Sequence, residues 1–208
     1  MATIALDLDG TLITCESRQV SVLLSVAYRF GVNLDLSLVW ARKRAGLSTR
    51  DALLEQGLDA TLANRISAAW VDVVETPFWL SLDRCFPDTL ATLTELGDQR
   101  VRRILITARS KPVWLTQQLT RLGIGGLLDE VYVVSPANTA AAKETVLREQ
   151  QPLGFIGDTE SDARAAEAAA VRYVALDRGQ RSRKFLEDSG QPDICSSLPV
   201  AVRMLLGQ

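Results

Sequence analysis

The sequence predicts an α/β fold, a parallel sheet covered by helices on both faces, with an all-helical insertion after its first strand. Three observations predict it. From Pro87 onward, short apolar runs alternate with stretches of helical periodicity, the rhythm of strand–helix–strand units. Between residues 16 and 84 the periodicity is helical only. The length of 208 residues, 47% hydrophobic and 23% charged, suits one domain plus an insertion with an ample core.

The elements follow in order. Residues 3–8 (TIALDL) form an apolar run ending in acids, followed by Gly10, which reads as a buried strand entering a turn. A helix over Ser21–Phe30 places Val22, Leu23, Val26, Ala27 and Phe30 on one face, and Gly31 stops it. A second covers 35–45 before Gly46. Ser48 caps a third, with Asp51 in the place of a capping-box acid. The fourth runs from about Ala60 to Val74, and Pro77 ends it. The candidate strands beyond are 101–106, 130–134, 153–156 and 171–176. Helices are expected at about 88–96, 112–122, 139–149 and 160–170, the last Ala-rich as close packing on a sheet favours. A helix at 198–206 closes the chain. The expected division is a core of 1–15 and 85–208 and a helical unit of 16–84.

Composition removes several kinds of chemistry. The chain has no histidine, which excludes Ser–His–Asp and Cys–His nucleophilic sites and His-ligated zinc or haem. Lys and Arg number 23 against 25 Asp and Glu, a net charge of −2, so no positive excess exists to grip a phosphate backbone and nucleic acid is not expected as a partner. The first residues, MATIALDLDG, lack a basic segment and carry acids in their apolar stretch, unlike a signal peptide. No apolar run approaches the roughly 18–20 residues of a membrane span, so no membrane partner is expected. Cys15, Cys85 and Cys195 are odd in number and widely spaced, as in a reducing, cytoplasmic setting, and read as small apolar residues. Cys15 and Cys85 flank the helical insertion, and an oxidative link between them is a further possibility to test.

In an open parallel sheet, ligands bind beyond the carboxyl ends of the strands. Four polar groups fall there. In Asp7-Leu8-Asp9-Gly10-Thr11, alternation puts Asp7 and Asp9 on one side of a strand tip, where two carboxylates repel unless a cation lies between them. A string of this kind arises by chance in roughly one chain in 500 of this length. Ile104–Arg109 delivers the Thr107 hydroxyl at a strand end. Lys143, one of only four lysines, lies on the helix before the next strand. In Gly157-Asp158-Thr159-Glu160-Ser161-Asp162, two acids lie four residues apart, where Asp158 or Thr159 also suits a helix cap and Asp162 the positive helix end.

In this order the four resemble the motifs of the haloacid dehalogenase superfamily, over most of the sheet domain. The segments GDTESDARAAEAAAVRYVALDRGQRS and PDICSSLPVAVRML are also similar to that family's C-terminal pattern. The resemblance implies a doubly wound, Rossmann-like sheet, with the insertion as a cap of the phosphoglycolate phosphatase-like type. It implies a Mg²⁺-dependent phosphatase acting on a small phosphorylated metabolite through an aspartyl-phosphate, as a monomer or homodimer. Asp7 resembles the nucleophile and Asp9 the general acid/base. The backbone of Leu8 and Asp9, with Thr107, Ala108 and Lys143, would hold the phosphoryl group, and Lys143 would balance its charge. Mg²⁺ would be held by the Asp7 side chain, the Asp9 carbonyl and Asp158, with Asp162 a ligand or a holder of one of the ion's waters.

Metal-free dehalogenases of the superfamily lack the second acid, so Asp9 favours phosphoryl transfer. Alternatives are a phosphomutase, a phosphonatase using Lys43, or a non-catalytic phospho-Asp module; Lys43, within Arg42-Lys43-Arg44, reads better as part of a solvated basic face. Two positions depart from the family pattern: Ala170 and Asp88 stand where glycine is common, and both could shift local turns. Residues 16–50 carry a net charge of +4 and residues 51–84 a net −4, so this segment either turns a basic half to the site or pairs its halves with each other. Trp40, Trp70, Phe78 and Trp79 are expected to fill the insertion's core.

Overall fold

The computed structural model describes residues 1–207. In chain order its elements are β1 (Thr3–Leu6), β2 (Ile13–Thr14), α1 (Glu16–Arg29), α2 (Leu36–Arg44), α3 (Thr49–Glu55), α4 (Ala60–Val73), α5 (Pro77–Leu80), β3 (Arg84–Cys85), α6 (Thr89–Asp98), β4 (Arg102–Ala108), α7 (Leu115–Arg121), β5 (Glu130–Val134), α8 (Thr139–Gln150), β6 (Gly154–Gly157), α9 (Glu160–Ala168), β7 (Tyr173–Leu176), α10 (Arg183–Asp188), β8 (Ile194–Cys195) and α11 (Leu198–Leu206). Six strands pair in parallel in the order β5-β4-β1-β6-β7-β8. This is the doubly wound α/β sheet that the sequence predicts.

Strand alternation divides the core into two layers. Ile4, Leu6, Leu105, Ile156 and Val174 face one side, packing with Leu93, Leu96, Leu115, Leu119, Leu198 and Leu205 of α6, α7 and α11. Ala5, Ile104, Ile106 and Phe155 face the other, against Val146 and Leu147 of α8 and Ala165 and Ala166 of α9. The small Ala side chains of α9 let that helix lie close on the sheet. Because β1 has β4 on one side and β6 on the other, the chain reverses its winding direction at β1, and a crevice opens at its carboxyl end.

Between β2 and β3 the chain forms only helices, and these share a separate apolar cluster built on Val22, Leu23, Val26, Val39, Leu53, Ala63 and Ile66. β2 and β3 pair antiparallel at its base, with Ile13 opposite Cys85. That register places Cys15 two residues past the partner of Cys85, and both are free thiols. Helix α1 starts at Glu16, five residues before the expected Ser21, because Arg18 and Gln19 are buried although polar. Pro77 opens α5 as well as closing what precedes it, as a proline in the first turn of a helix can. Trp70 and Trp79 pack against the cluster as expected, whereas Phe78 is 70% exposed.

Both departures from the family pattern take specific conformations. Ala170 is left-handed, with φ 56°, where it ends α9. Asp88 accepts two bonds from Arg178 Nη1 at 2.7 Å and one from the Leu198 amide at 3.0 Å, tying the start of α6 to α11. Among the described residues no helix is long and apolar enough to cross a membrane.

Candidate active site

The strand ends converge on one crevice. Asp7 follows β1, Thr107 and Ala108 end β4, Lys143 comes from α8, and Asp158 and Asp162 flank the start of α9. Asp7, Asp9, Thr107, Ala108, Lys143 and Asp162 line a cavity of about 210 Å³, with Asp158 fully buried behind it. A larger cavity of about 620 Å³, against α9 and β7, holds none of these groups. Leu8 has its side chain in the core; its carbonyl closes the turn, accepting from the Leu12 and Ile13 amides at 2.9 and 3.0 Å.

Lys143 Nζ donates to Asp7 Oδ1 and to Asp162 Oδ1, both at 2.6 Å and away from solvent. The helix cap is Thr159, one of the two expected, and the site residue Asp162 is its partner in the capping box. Thr159 Oγ1 donates to Asp162 Oδ2 at 2.7 Å in a reciprocal capping box, which fixes the carboxylate that Lys143 contacts. Burial pushes the Asp7 carboxyl up to about 7, with Lys143 opposing and Asp162 and Asp9 adding. Burial also raises Asp158 well above the ordinary carboxylate range, reinforced by Asp7 and Asp162. Burial would lower the Lys143 ammonium, but Asp162 and Asp7 outweigh it and hold it charged.

Asp7, Asp158 and Asp162 each bring a carboxylate oxygen within 4.8 Å of the others, all buried. One lysine against three acids leaves a charge deficit that a hard divalent cation with oxygen ligands would relieve. Asp158 accepts from the Gln180 amide at 2.5 Å through Oδ2, while its buried Oδ1 finds no partner. Close backbone holds this carboxylate in place. A Cβ on Gly10, whose φ is +84°, would lie 1.8 Å from Asp158 Oδ2, and one on Gly179 would lie 2.1 Å from it. The residues therefore fit a divalent metal.

Asp9 turns to different partners. Arg18 Nη2 donates to its Oδ1 at 2.5 Å, and Arg109 Nη1 pairs with its Oδ2. Burial would raise the Asp9 carboxyl, but Arg109 and Arg18 outweigh it and hold it below its ordinary value. Arg18 also donates through Nε to Asp83 Oδ1 at 2.9 Å, and Gln118 Nε2 donates to Asp83 Oδ2 at 2.6 Å. The first turn of α1 is thus pinned both to Asp9 and to the connection before β3.

Sequence reasoning did not single out Arg109, Asp83 or Gln118, and met Arg18 only as one of several basic residues. Arg109 had a signal, since it follows Thr107-Ala108 at the strand end. The charge question in the insertion divides: Arg18 reaches the site, whereas Arg42 pairs with Glu55 and Arg50 with Asp51. Lys43 is buried rather than on a solvated face. Its Nζ donates to Thr49 Oγ1 at 2.9 Å and lies 4.5 Å from the centre of the Trp70 ring, which together replace its hydration shell.

A family model described as haloacid dehalogenase-like hydrolase matches residues 4–176. The chain belongs to that family. Among solved structures, a haloacid dehalogenase-like family hydrolase from Streptococcus pneumoniae superposes with TM-score 0.78 at 20% identity, covering 100% of this chain and 99% of the other. A predicted phosphatase from Clostridium acetobutylicum gives 0.75 at 19% identity, with coverage of 100% and 99%. A predicted phosphoglycolate phosphatase from Haemophilus somnus gives 0.72 at 19% identity, with coverage of 100% and 98%. At these identities the likeness is one of fold. No curated protein matches the sequence.

Proposed function

We propose that this haloacid dehalogenase-like hydrolase is a Mg²⁺-dependent phosphatase of small phosphomonoesters, cytoplasmic, with residues 16–84 as a cap over the crevice. The observation that carries the reading is the buried group of Asp7, Asp158 and Asp162 around Lys143, with Asp9 beside it, at the carboxyl end of the central strand. When bound, the cation would supply charge neutralisation between a carboxylate and an incoming phosphate dianion, held by Asp7, Asp158 and the Asp9 carbonyl, with Asp162 in support.

The chain's own groups supply the remainder. Asp7 attacks phosphorus as its carboxylate; the new O–P bond forms as the ester O–P bond breaks, leaving an aspartyl-phosphate. Lys143 favours the ionised form of Asp7 and balances charge on the transferring group, and Thr107 with the Ala108 amide orients it. Asp9 gives the leaving oxygen its proton, then takes one from the water that hydrolyses the intermediate. As the structure stands, both Asp9 oxygens are held by guanidinium groups, so donation requires one of them to let go.

The experiment is hydrolysis of an aryl phosphate with and without Mg²⁺, beside Asp7→Asn and Asp9→Asn. Turnover that needs Mg²⁺, disappears in Asp7→Asn and falls about 10²- to 10⁴-fold in Asp9→Asn is expected. No turnover by the native chain, or turnover surviving Asp7→Asn, overturns the reading.

A further inference from the structure

Arg109 is a charged residue with three of its five N–H donors unused. It follows β4, is 6% exposed, and spends Nη1 on Asp9 and on the Ala108 carbonyl at 2.9 Å. Its Nε and Nη2 are buried with no partner at all. Among the described residues no other arginine leaves two buried nitrogens unpartnered. Arg18, on the opposite oxygen of Asp9, finds an acceptor for each nitrogen: Asp83, Asp9 and, at 3.5 Å, the Val74 carbonyl. The two arginines that clamp Asp9 therefore differ. Arg18 is fully engaged by the protein, and Arg109 is not.

The unused edge has a chemical preference. Nε and Nη2 form the side of the guanidinium that meets two oxygens of a carboxylate or phosphoryl group in parallel. The nearby acids cannot serve it, since Asp9 is shared with Arg18, and Asp83 is held by Arg18 and Gln118. Arg109 also lies on the wall between the catalytic cavity and a neighbouring one of about 440 Å³, lined by Ser110, Pro112, Val134 and Ser135. A ligand occupying both cavities would meet Arg109, which lines each of them.

We infer that Arg109 is the specificity-determining residue for a second oxyanionic group on the substrate. On the phosphatase reading, the substrate class is a small phosphomonoester with a carboxylate or second phosphoryl group a few atoms from the reacting phosphorus. The short reach follows from placement. Arg109 contacts Asp9, two residues past Asp7, and lies two residues past Thr107.

Three probes of matched size test this: phosphoglycolate, ethylene glycol bisphosphate and the neutral-tailed 2-hydroxyethyl phosphate. The native chain is expected to favour at least one anionic probe over the neutral one by about 10- to 100-fold in kcat/KM, the range of a charge-assisted pair. Whichever probe is favoured identifies the group. Arg109→Gln should bring the ratio close to one, and Arg109→Lys, with the charge but not the fork, should recover only part of it. Ratios are compared because either variant also disturbs Asp9 and slows every substrate. Calorimetric binding of the same probes to Asp7→Asn protein, with and without Arg109→Gln, gives a reading independent of turnover. A native ratio close to one in both measurements, or a ratio unchanged in Arg109→Gln or fully restored in Arg109→Lys, overturns the inference. Loss of aryl phosphate hydrolysis with the binding preference intact would instead overturn the phosphatase reading and leave Arg109 as an anion site.

Discussion

Replacing Arg18 with methionine keeps most of the buried stem but strands Asp83, and the cost should depend on pH. Asp83 is fully buried and accepts from Arg18 and Gln118. Burial already pushes its carboxyl from 3.8 up to about 6, with Arg18 pulling the other way. Because the folded pKa is raised, the stability from this group is fully present below 3.8 and is lost as pH rises to about 6. Above that, native Asp83 is ionised against Arg18 and the loss stops. Without Arg18 the carboxyl loses its hydrogen-bonded cation and keeps only the weaker pull of Arg109, so it stays protonated to higher pH and the loss continues. Between about pH 6 and pH 7.5, at about 1.4 kcal/mol per unit, the variant should lose about 2 kcal/mol that the native chain does not. At about pH 5 both forms hold the proton, and this contribution disappears. Arg18→Met also takes from Asp9 one of the two guanidinium groups that hold its carboxyl down, a loss that the double variant shares, so comparing the two variants isolates Asp83. Urea unfolding followed by circular dichroism near pH 5 and pH 7.5 measures the difference, beside Arg18→Met with Asp83→Asn. A destabilisation equal at both pH values, or a pH dependence as large in the double variant as in the single one, would refute the reasoning.

Ala170→Gly should stabilise the protein by about 0.5–1 kcal/mol, since a left-handed alanine costs about 1–2 kcal/mol and glycine returns part of that through unfolded-chain entropy; an unchanged or lower unfolding midpoint in urea would count against it. Asp158→Asn removes one of three buried acids facing a single lysine, so the metal-free variant should melt higher than the native chain. Adding Mg²⁺ at about 100 times its Kd should stabilise the native protein by about 2.7 kcal/mol and the variant by far less, which thermal melts with and without chelator would show.

What the sequence revealed depended on whether a residue's burial could be read from its polarity. Strand alternation assigned the two faces of β1 and β4 because their side chains are apolar throughout. The ends of those strands stood out because acids and a threonine there have no reason to be buried unless they act. The same rule hid Arg18 and Gln19. Their polarity broke the apolar rhythm, moved the expected start of α1 to Ser21, and concealed the residue that reaches Asp9. Asp83, a lone acid between Leu82 and Arg84, carries no local pattern; its role exists only through partners 65 and 35 residues away. Lys43 was misread for the same reason, because its burial rests on a ring supplied by α4. The antiparallel strands β2 and β3 and the edge strand β8 are two residues each, too short to show a period, and α10 offers only the adjacent Phe185 and Leu186 among charged residues.

A single dipeptide step divides the site electrostatically. Asp7 joins Asp158 and Asp162 against Lys143, three acids and one base, a net charge of −2 in a buried space. Asp9 joins Asp83 against Arg18 and Arg109, two acids and two bases, with no net charge. A divalent cation would complete the first group, and the orphaned Asp158 oxygen marks where it would be met. The second is already balanced, so its carboxylate is oriented rather than repelled by Asp7. In a chain without histidine, two neighbouring carboxylates can take different roles only if their surroundings separate them. Here burial raises Asp7 to about 7 while two guanidinium groups hold Asp9 below its ordinary value. Cation binding would return Asp7 to its charged form, the one that can attack, and release of a guanidinium would return Asp9 toward the form that can donate. On the phosphatase reading, the pH dependence of turnover should therefore respond to Arg109 and Arg18.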